Sequence, residues 1–317
     1  MLRVSAEGFD VLVLGDCNPD LILTGEHVVP EFGQVERLVQ SAELTIGGSG
    51  SIVACGAARL GLRTALIGVV GADLFGRFMV EALTERGVDT SAMVVDPAAR
   101  TGLTVILDRG DDRAILTFAG TTAALTADAI DRQHIRRARH VHVSSFFLQS
   151  ALAAALPELF EDARRASAST SIDPNWDPAQ KWDGGLLRLL AHTDVFLPNG
   201  EEAMRIANRP NPASAARELA KAGPLVAVKL GPDGALGVRR DGELTALDPL
   251  RDLDPVDAVG AGDSFDAGVL AGLLNGWSVE RALALGCACG GLSTRSAGGT
   301  TAQPTLDEAL AAVGANA

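Results

Sequence analysis

The sequence is poor in aromatic residues and in cysteine, and it contains no tyrosine. Aromatic residues make up only 4% of the 317 positions. None of the four cysteines belongs to a Cys-x-x-Cys pair, and Cys287 and Cys289 would point to different faces of a helix. This spacing argues against a paired-cysteine metal or redox site. Together with Cys17 and Cys55, they are expected to be buried or free thiols in a reducing compartment.

Positive charge is also scarce, since 27 lysines and arginines face 40 acidic residues and the formal net charge is −13. Nucleic-acid binders normally carry the opposite balance, so we discount that class. No apolar run reaches membrane-spanning length, and no charged-then-apolar signal segment is present. We therefore expect a soluble, cytoplasmic protein with neither nucleic acid nor membrane as a partner.

Several catalytic motifs are missing. No Gly-Lys dipeptide occurs, which excludes a Walker A loop, and there is no His-Glu-x-x-His or Gly-x-Ser-x-Gly motif. Gly48-x-Gly50 is followed by Val53 where a dinucleotide fingerprint needs a third glycine, which argues against a dehydrogenase. His140 and His142 lie two apart on a predicted strand, and we interpret them as structural rather than metal-binding.

Apolar sequence is plentiful, at 47% of the chain, and it is organised as short apolar runs alternating with alanine- and leucine-rich helical patterns. This rhythm predicts an α/β fold with a mostly parallel sheet covered on both faces. Polar residues, often Asn or Asp, follow the runs, and open α/β sheets bind ligands at the carboxyl ends of their strands. The predicted strands span residues 10–14, 64–70, 140–143, 169–172, 195–197 and 225–230.

Two segments, residues 20–44 and 100–118, do not follow this rhythm and resemble strands and turns without helices. The second contains two apolar runs around a polar turn at 109–112, which is typical of a hairpin. We interpret both segments as a small β lid, formed by about 20–45 and 98–118, that closes over the active cleft. The half-exposed face of such a lid would allow two copies of the chain to form a homodimer.

Residues 257–265 (Asp-Ala-Val-Gly-Ala-Gly-Asp-Ser-Phe) open a long apolar helix and are the strongest sign of chemistry. Gly260 and Gly262 allow the backbone to approach a ligand closely. Amide N–H groups at a helix N-terminus lack internal partners and favour anions such as phosphate. Asp263 places a carboxylate beside that anion site, either as a helix cap or as a base that orients a hydroxyl nucleophile for phosphoryl transfer.

The chain resembles the ribokinase-like (PfkB) carbohydrate kinases over essentially its whole length. The resemblance rests on the glycine signature at Gly47 and Gly48, on residues 70–76 (Val-Gly-Ala-Asp-Leu-Phe-Gly), on Asn199-x-x-Glu202, and on residues 257–263. It implies one kinase domain over residues 1–317, with a Rossmann-like three-layer α/β/α core and a β lid. It also implies ATP- and magnesium-dependent phosphorylation of a sugar or nucleoside hydroxyl.

The resemblance also implies roles for individual residues. Asp263 would be the catalytic base, and the amides of Gly260, Ala261 and Gly262 would form the anion hole. Sugar hydroxyls would be bound by Asn18, Asp20, Gly48 and Ser49. The nucleotide would lie along Asn199, Lys229, Gly231, Gly234 and Gly262, with Glu202 near magnesium through water. A monovalent-cation site would use Asp257 and the carbonyl of Val259, so we expect that potassium can activate the protein.

Three of the polar side chains have second interpretations. Glu202 could be merely an exposed acid at a helix start. Lys229 lies in a buried strand, where either a phosphate or an acidic neighbour would compensate its charge. Arg113 in the lid could reach over the cleft or face solvent, and we favour solvent.

Two departures from the family put ribose in doubt as the substrate. Ile52 stands where the family usually has Asn, and Ser49 stands where ribokinases have Lys. The serine also argues against an already phosphorylated substrate. A nucleoside kinase of the same fold remains an alternative, with Phe146 and Phe147 as candidate base clamps. A catalytically inactive sugar- or nucleotide-binding regulator is the alternative from a different class.

Overall fold

The computed structural model describes residues 8–26, 28–110, 112–251 and 253–316. The strands are β1 Val11–Leu14, β2 Asn18–Thr24, β3 Ser41–Gly47, β4 Thr64–Ile67, β5 Val69–Gly71, β6 Val94–Asp96, β7 Leu103–Asp108, β8 Arg113–Phe118, β9 His140–Val143, β10 Ser169–Ile172, β11 Val195–Phe196, β12 Leu225–Lys229, β13 Ala235–Val238 and β14 Leu244–Leu247. The helices are α1 Ser49–Arg59, α2 Leu74–Glu85, α3 Arg132–Arg137, α4 Leu156–Arg165, α5 Leu186–Leu189, α6 Gly200–Ala207, α7 Pro212–Ala220, α8 Ala261–Leu274, α9 Val279–Ser293 and α10 Leu306–Asn316.

The central sheet has the order β14-β13-β12-β11-β10-β9-β1-β4. Its strands from β12 to β4 are parallel, and β13 and β14 continue it as an antiparallel edge. Strands such as β1 and β9 are buried along their whole length, as the apolar runs predict for a sheet covered on both faces. The predicted α/β architecture is therefore confirmed, and parallel strands bring their carboxyl ends to one edge.

Helix α8 packs closely against α9 because small residues line their contact. A methyl group at Gly268 would lie 2.9 Å from the Cα of Gly286, and one at Gly272 would lie 2.7 Å from the Cα of Ala282. The glycines thus let the backbones of α8 and α9 approach each other closely. In the described part of the chain, no helix is both long and apolar enough to cross a membrane.

A second sheet, with the order β3-β2-β7-β8, is formed by the two segments predicted as a lid. Strand β8 lies at its edge and is exposed along its whole length, including Ile115, Leu116 and Phe118. The base of the β7–β8 hairpin is anchored by Asp73, whose carboxylate caps α2 at Gly76 N–H (2.9 Å) and accepts from Thr101 N–H (2.9 Å) and Oγ1 (2.7 Å).

The buried histidines belong to a hydrogen-bonded network between β9 and β10. His140 contacts Ser169 and Ser171 at 2.7 and 2.6 Å, and His142 contacts Ser171 at 2.7 Å. Burial lowers the pKa of His140 to about 3 and that of His142 to about 4. Neutral imidazoles bonded to serine hydroxyls agree with the structural interpretation of both residues.

Candidate active site

Polar side chains from the ends of β1, β9 and β10 converge on the start of α1. The Asp16 carboxylate accepts the N–H groups of Ser49 (3.1 Å) and Gly50 (3.0 Å). Asn175 Nδ2 donates to Ser145 Oγ at 3.0 Å and to Ser49 Oγ at 3.3 Å. Ser145 and Asn175 both have positive φ, at 54° and 52°, a conformation that non-glycine residues adopt at a cost and that is often found at functional sites.

The four predicted sugar-binding residues lie together where the second sheet meets α1. Asn18 and Asp20 belong to β2 and are buried, and Asn18 Nδ2 reaches Thr104 Oγ1 of β7 at 3.4 Å. Gly48 is the N-cap of α1 with φ 78°, where a methyl group would lie 3.0 Å from Asn18 Oδ1. Ser49 begins the helix beside it. This arrangement brings carboxylate, amide and hydroxyl groups to one place, as polyol recognition requires.

Asp263 lies in the first turn of α8 and is half-buried. The N-cap of α8 is Gly260, with φ 71°, and no described side chain caps the helix. The cap interpretation of Asp263 is therefore wrong, and its carboxylate is available for other contacts. Burial, then the charge of Asp173, raises the pKa of Asp263 to about 7, while Lys229 and a hydrogen bond from Ser49 oppose the rise. A base titrating near neutral pH suits proton abstraction.

The Gly-Ala-Gly turn before Asp263 is conformationally demanding. A methyl group at Gly260 would lie 2.7 Å from the Cα of Gly299 and 3.0 Å from Ile52 Cγ2. Ile52 therefore packs beneath the turn, which gives the departure from the family pattern a structural reason. Ala261 N–H makes a long hydrogen bond of 3.3 Å to the Ala258 carbonyl. The amides of Gly262 and Asp263 also belong to the first turn, where an α-helix offers them no carbonyl partner.

Lys229, at the end of β12, is paired with two buried carboxylates. Its Nζ lies 2.6 Å from Asp173 Oδ2 and 3.1 Å from both oxygens of Asp266. Burial works to lower the pKa of Lys229, but Asp173 and then Asp266 outweigh it and hold the pKa above its ordinary value. Oxygens of Asp173, Asp263 and Asp266 lie within 4.8 Å of one another, a spacing that a metal ion could use, but the ammonium already compensates two of them.

Asn199 and Glu202 form a reciprocal capping box at the start of α6. Asn199 N–H donates to Glu202 Oε2 at 2.8 Å, and Glu202 N–H donates to Asn199 Oδ1 at 2.9 Å. Glu202 is buried rather than exposed, and burial, then the charge of Asp173, raises its pKa to about 7. The capping role is thus present, yet a buried acid beside other acids would also be stabilised by a nearby cation.

A cavity of about 520 Å³ opens beside the N-terminus of α8. Four of the five residues predicted to bind ATP line it, and Asn199 does not. The cavity also carries apolar and small side chains that suit a flat nucleobase, since ligand pockets are mostly apolar with a few polar groups. The predicted lining residues are Lys229, Gly231, Gly234 and Gly262, and the additional ones include Leu250, Leu253, Phe265, Cys287 and Thr294.

Asp257, predicted as a monovalent-cation ligand, already has a cationic partner. Arg113 of β8 reaches across from the second sheet and places Nη1 2.8 Å from Asp257 Oδ1. The same oxygen accepts Val259 N–H at 2.9 Å, and Oδ2 accepts Gly298 N–H at 3.0 Å. Our preference for a solvent-facing Arg113 is therefore wrong, because its guanidinium bridges the lid segment and the glycine turn.

Sequence reasoning did not assign site roles to Asp16, Asn175, Asp173 or Asp266, although it expected residues 144–147 to contribute to hydroxyl selectivity. The first three follow strand ends, and their position at the carboxyl edge of the sheet was the available signal. Asp266 gave no comparable signal, since it lies inside an apolar helix and is 0% exposed. Its pairing with Lys229 explains a carboxylate at that position.

Comparison with known proteins agrees with this geometry. A ribokinase II from E. coli, solved with ATP and Mg²⁺, superposes with a TM-score of 0.84 at 22% identity, covering 97% of this chain and 99% of that one. The fold is thus ribokinase-like. A fructokinase of Klebsiella pneumoniae is 34% identical over 94% of this chain and 97% of its own. An ATP-dependent ribose-1-phosphate kinase of Halopiger xanaduensis is 32% identical over 95% and 97%.

The fold and the relatives define a phosphotransferase of the sugar-kinase class. Residues 9–306 match the pfkB family carbohydrate kinases, and the chain belongs to that family. The expectation drawn from residues 47–48, 70–76 and 257–263 is therefore confirmed at the level of the family.

Proposed function

We propose that the protein transfers the γ-phosphoryl group of ATP to a hydroxyl of a small sugar. The observation that carries the proposal is the position of Asp263. Its half-buried carboxylate stands in the first turn of α8, beside a cavity lined by Gly262 and close to Ser49. One group can thus orient an alcohol while neighbouring amides receive the phosphate.

In the proposed reaction, the carboxylate of Asp263 accepts the proton of the sugar hydroxyl as its oxygen attacks the γ-phosphorus. The bond from that phosphorus to the bridging oxygen breaks, and ADP leaves. The first-turn amides of α8 stabilise the charge on the moving phosphoryl group. Asn18, Asp20, Gly48 and Ser49 hold the remaining sugar hydroxyls. The second sheet acts as a lid that excludes water from the cleft.

ATP is proposed to bind along Lys229, Gly231, Gly234 and Gly262, with its base in the apolar part of the cavity. Glu202 fits a magnesium ion held through water, because its buried carboxylate lies in the field of Asp173 and, among the described residues, accepts its hydrogen bond from the Asn199 N–H rather than from a cationic side chain. When bound, magnesium would neutralise phosphate oxygens and draw charge from the transferred group. The E. coli ribokinase II complex, which contains ATP and Mg²⁺, supports this proposal.

The test is the variant Asp263→Asn, assayed by ADP release over ribose, fructose, deoxy and keto sugar acids, and nucleosides. We expect the fall in kcat/KM to correspond to a loss of about 2 to 4 kcal/mol, or more, of transition-state stabilisation. Nucleotide binding should be retained. Because the pKa of Asp263 is raised to about 7, wild-type kcat/KM should rise with pH through that value as the base ionises.

Asp307→Asn, at the first turn of α10, is the matched control and should leave the rate unchanged. A wild-type protein that binds ATP and sugars but turns over none of the panel would instead support the inactive-regulator alternative. The nucleoside alternative has lost one of its two candidate clamps, since Phe146 is 2% exposed and packs in the core.

We also propose that β8 pairs with β8 of a second copy. An edge strand that exposes Ile115, Leu116 and Phe118 is a template for further pairing. Sedimentation at increasing concentration should show a dimer that Leu116→Lys weakens. A monomer at every concentration would contradict this proposal without touching the kinase assignment.

A further inference from the structure

We propose that the site is selective for an uncharged polyhydroxy sugar and rejects sugar acids and sugar phosphates. The inference rests on the proposed function, since it assumes that the sugar lies between β2, α1 and Asp263. The inference restricts the substrate class to sugars without a negative charge. It is based on the balance of acidic and basic side chains around the proposed sugar position.

Carboxylates surround the proposed sugar position. Asp16, Asp20 and Asp263 reach it from the end of β1, from β2 and from the first turn of α8. They are near enough to act on one another's ionisation. Burial, then the charges of Asp16 and Asp257, raises the pKa of Asp20 to about 7, and Asp16 likewise contributes to the raised pKa of Asp263.

The cations of the site are already paired. Lys229 and Arg113 are the positively charged side chains among the site residues described above. Lys229 contacts Asp173 and Asp266, and the Lys229 and Asp173 side chains are only 12% and 7% exposed, so solvent screens the pairing weakly. Arg113 contacts Asp257 at 2.8 Å. Ser49 offers a hydroxyl and an N–H that already donates to Asp16.

An anionic substituent would therefore enter a place where three carboxylates already disfavour one another's ionised forms, and where Lys229 and Arg113 are engaged by other acids. Like charges several ångströms apart in a partly buried site repel strongly enough to lower binding by on the order of a hundredfold. A neutral polyol avoids that cost and donates its hydroxyl protons to the carboxylates, which are acceptor-only groups when ionised.

The test compares neutral sugars with anionic counterparts: fructose with fructose 1-phosphate and with fructose 6-phosphate, so that each of these two hydroxyls is free in one phosphate, ribose with ribose 1-phosphate, and a hexose with its uronic acid. We expect kcat/KM for the neutral member to exceed that for the anion by about a hundredfold or more at low salt. The ratio should shrink as ionic strength rises, because salt screens repulsion. Asp20→Asn should raise the anion-to-neutral ratio about tenfold, and Asp241→Asn, on the exposed turn before β14, should leave the ratio unchanged.

Preferred turnover of an anionic member would overturn the inference while leaving the kinase proposal intact. If that preference disappeared in Arg113→Met, Arg113 would have released Asp257 and bound the anionic substrate instead. If no member is turned over, the proposed function fails instead. The charge preference is then read from ligand-induced thermal shifts of the same pairs. Equal shifts for both members would count against it.

Discussion

Replacing Lys229 with Met should destabilise the protein strongly, because the ammonium compensates two buried carboxylates. Asp173 and Asp266 are 7% and 0% exposed at their side chains, and Lys229 lies 2.6 and 3.1 Å from them. Removing one partner of a buried ion pair typically costs about 3–5 kcal/mol. For a chain of 317 residues, unfolding entropies of about 2 cal/mol/K per residue convert this loss to a fall in Tm of roughly 5–8 °C.

The pH dependence of this loss provides a second, independent check. Burial works to raise the pKa of Asp173, but the charge of Lys229 outweighs it and holds the pKa below its ordinary value. Its ionised form thus stabilises the wild type above pH about 4, and that stabilisation is lost as pH falls. Without Lys229, the pKa values of both acids rise, so the native variant takes up protons on acidification. The difference in Tm between variant and wild type should therefore narrow between pH 8 and pH 5.

Thermal melts followed by circular dichroism, without ligands, measure both effects. Lys221→Met is the matched control, because Lys221 is 68% exposed and pairs only with the surface residue Glu218 in the described structure. The double variant with Asp266→Asn should recover part of the lost stability, since it removes one of the orphaned acids. A variant that melts within about 1 °C of wild type at pH 7, or a deficit that does not change with pH, would show that the ammonium is not what compensates Asp173 and Asp266.

Two further predictions follow from the anchoring of the second sheet. Asp73→Ala removes the α2 cap and the bonds to Thr101, and should cost about 1–3 kcal/mol of stability at pH 7. Because hydrogen bonds from Gly76 and Thr101 outweigh burial and lower the pKa of Asp73, this penalty should shrink as pH falls below about 4, and a constant penalty would contradict the account. Arg113→Met should raise KM, and it should create activation by potassium over choline, because Asp257 then lacks its cation. If potassium activated the wild type as strongly as the variant, Arg113 would not be the cation that compensates Asp257.

Local periodicity was sufficient to predict the main sheet. Strands such as β1 and β4 are short, largely apolar runs, and they pair with each other in a parallel register. The polar residues after them could be expected at one edge for the same reason. Asp263 was placed correctly in the first turn of α8, although its cap interpretation could be excluded only from the position and φ angle of Gly260 as the N-cap.

Contacts between distant segments could not be predicted in this way. Arg113 and Asp257 are 144 residues apart, and their meeting depends on how the second sheet folds over the core. Positive φ at Asn175 depends on its bonds to Ser145 and Ser49, which come from other strands and another helix. Neither feature leaves a periodic trace in the sequence, since each depends on tertiary packing.

Lys229 can compensate two buried carboxylates and still be available for the proposed contact with the nucleotide. An ammonium group has three N–H donors. Among the described residues, Asp173 takes one, and the two oxygens of Asp266, equidistant at 3.1 Å, can share a second. Lys229 also lines the cavity beside α8, where a methyl group at Gly262 would lie 3.7 Å from Nζ. The acidic neighbours therefore do not preclude the proposed nucleotide contact. They hold the ammonium beside the anion site in its charged form, so a phosphate arriving there would meet a cation whose desolvation had already been compensated.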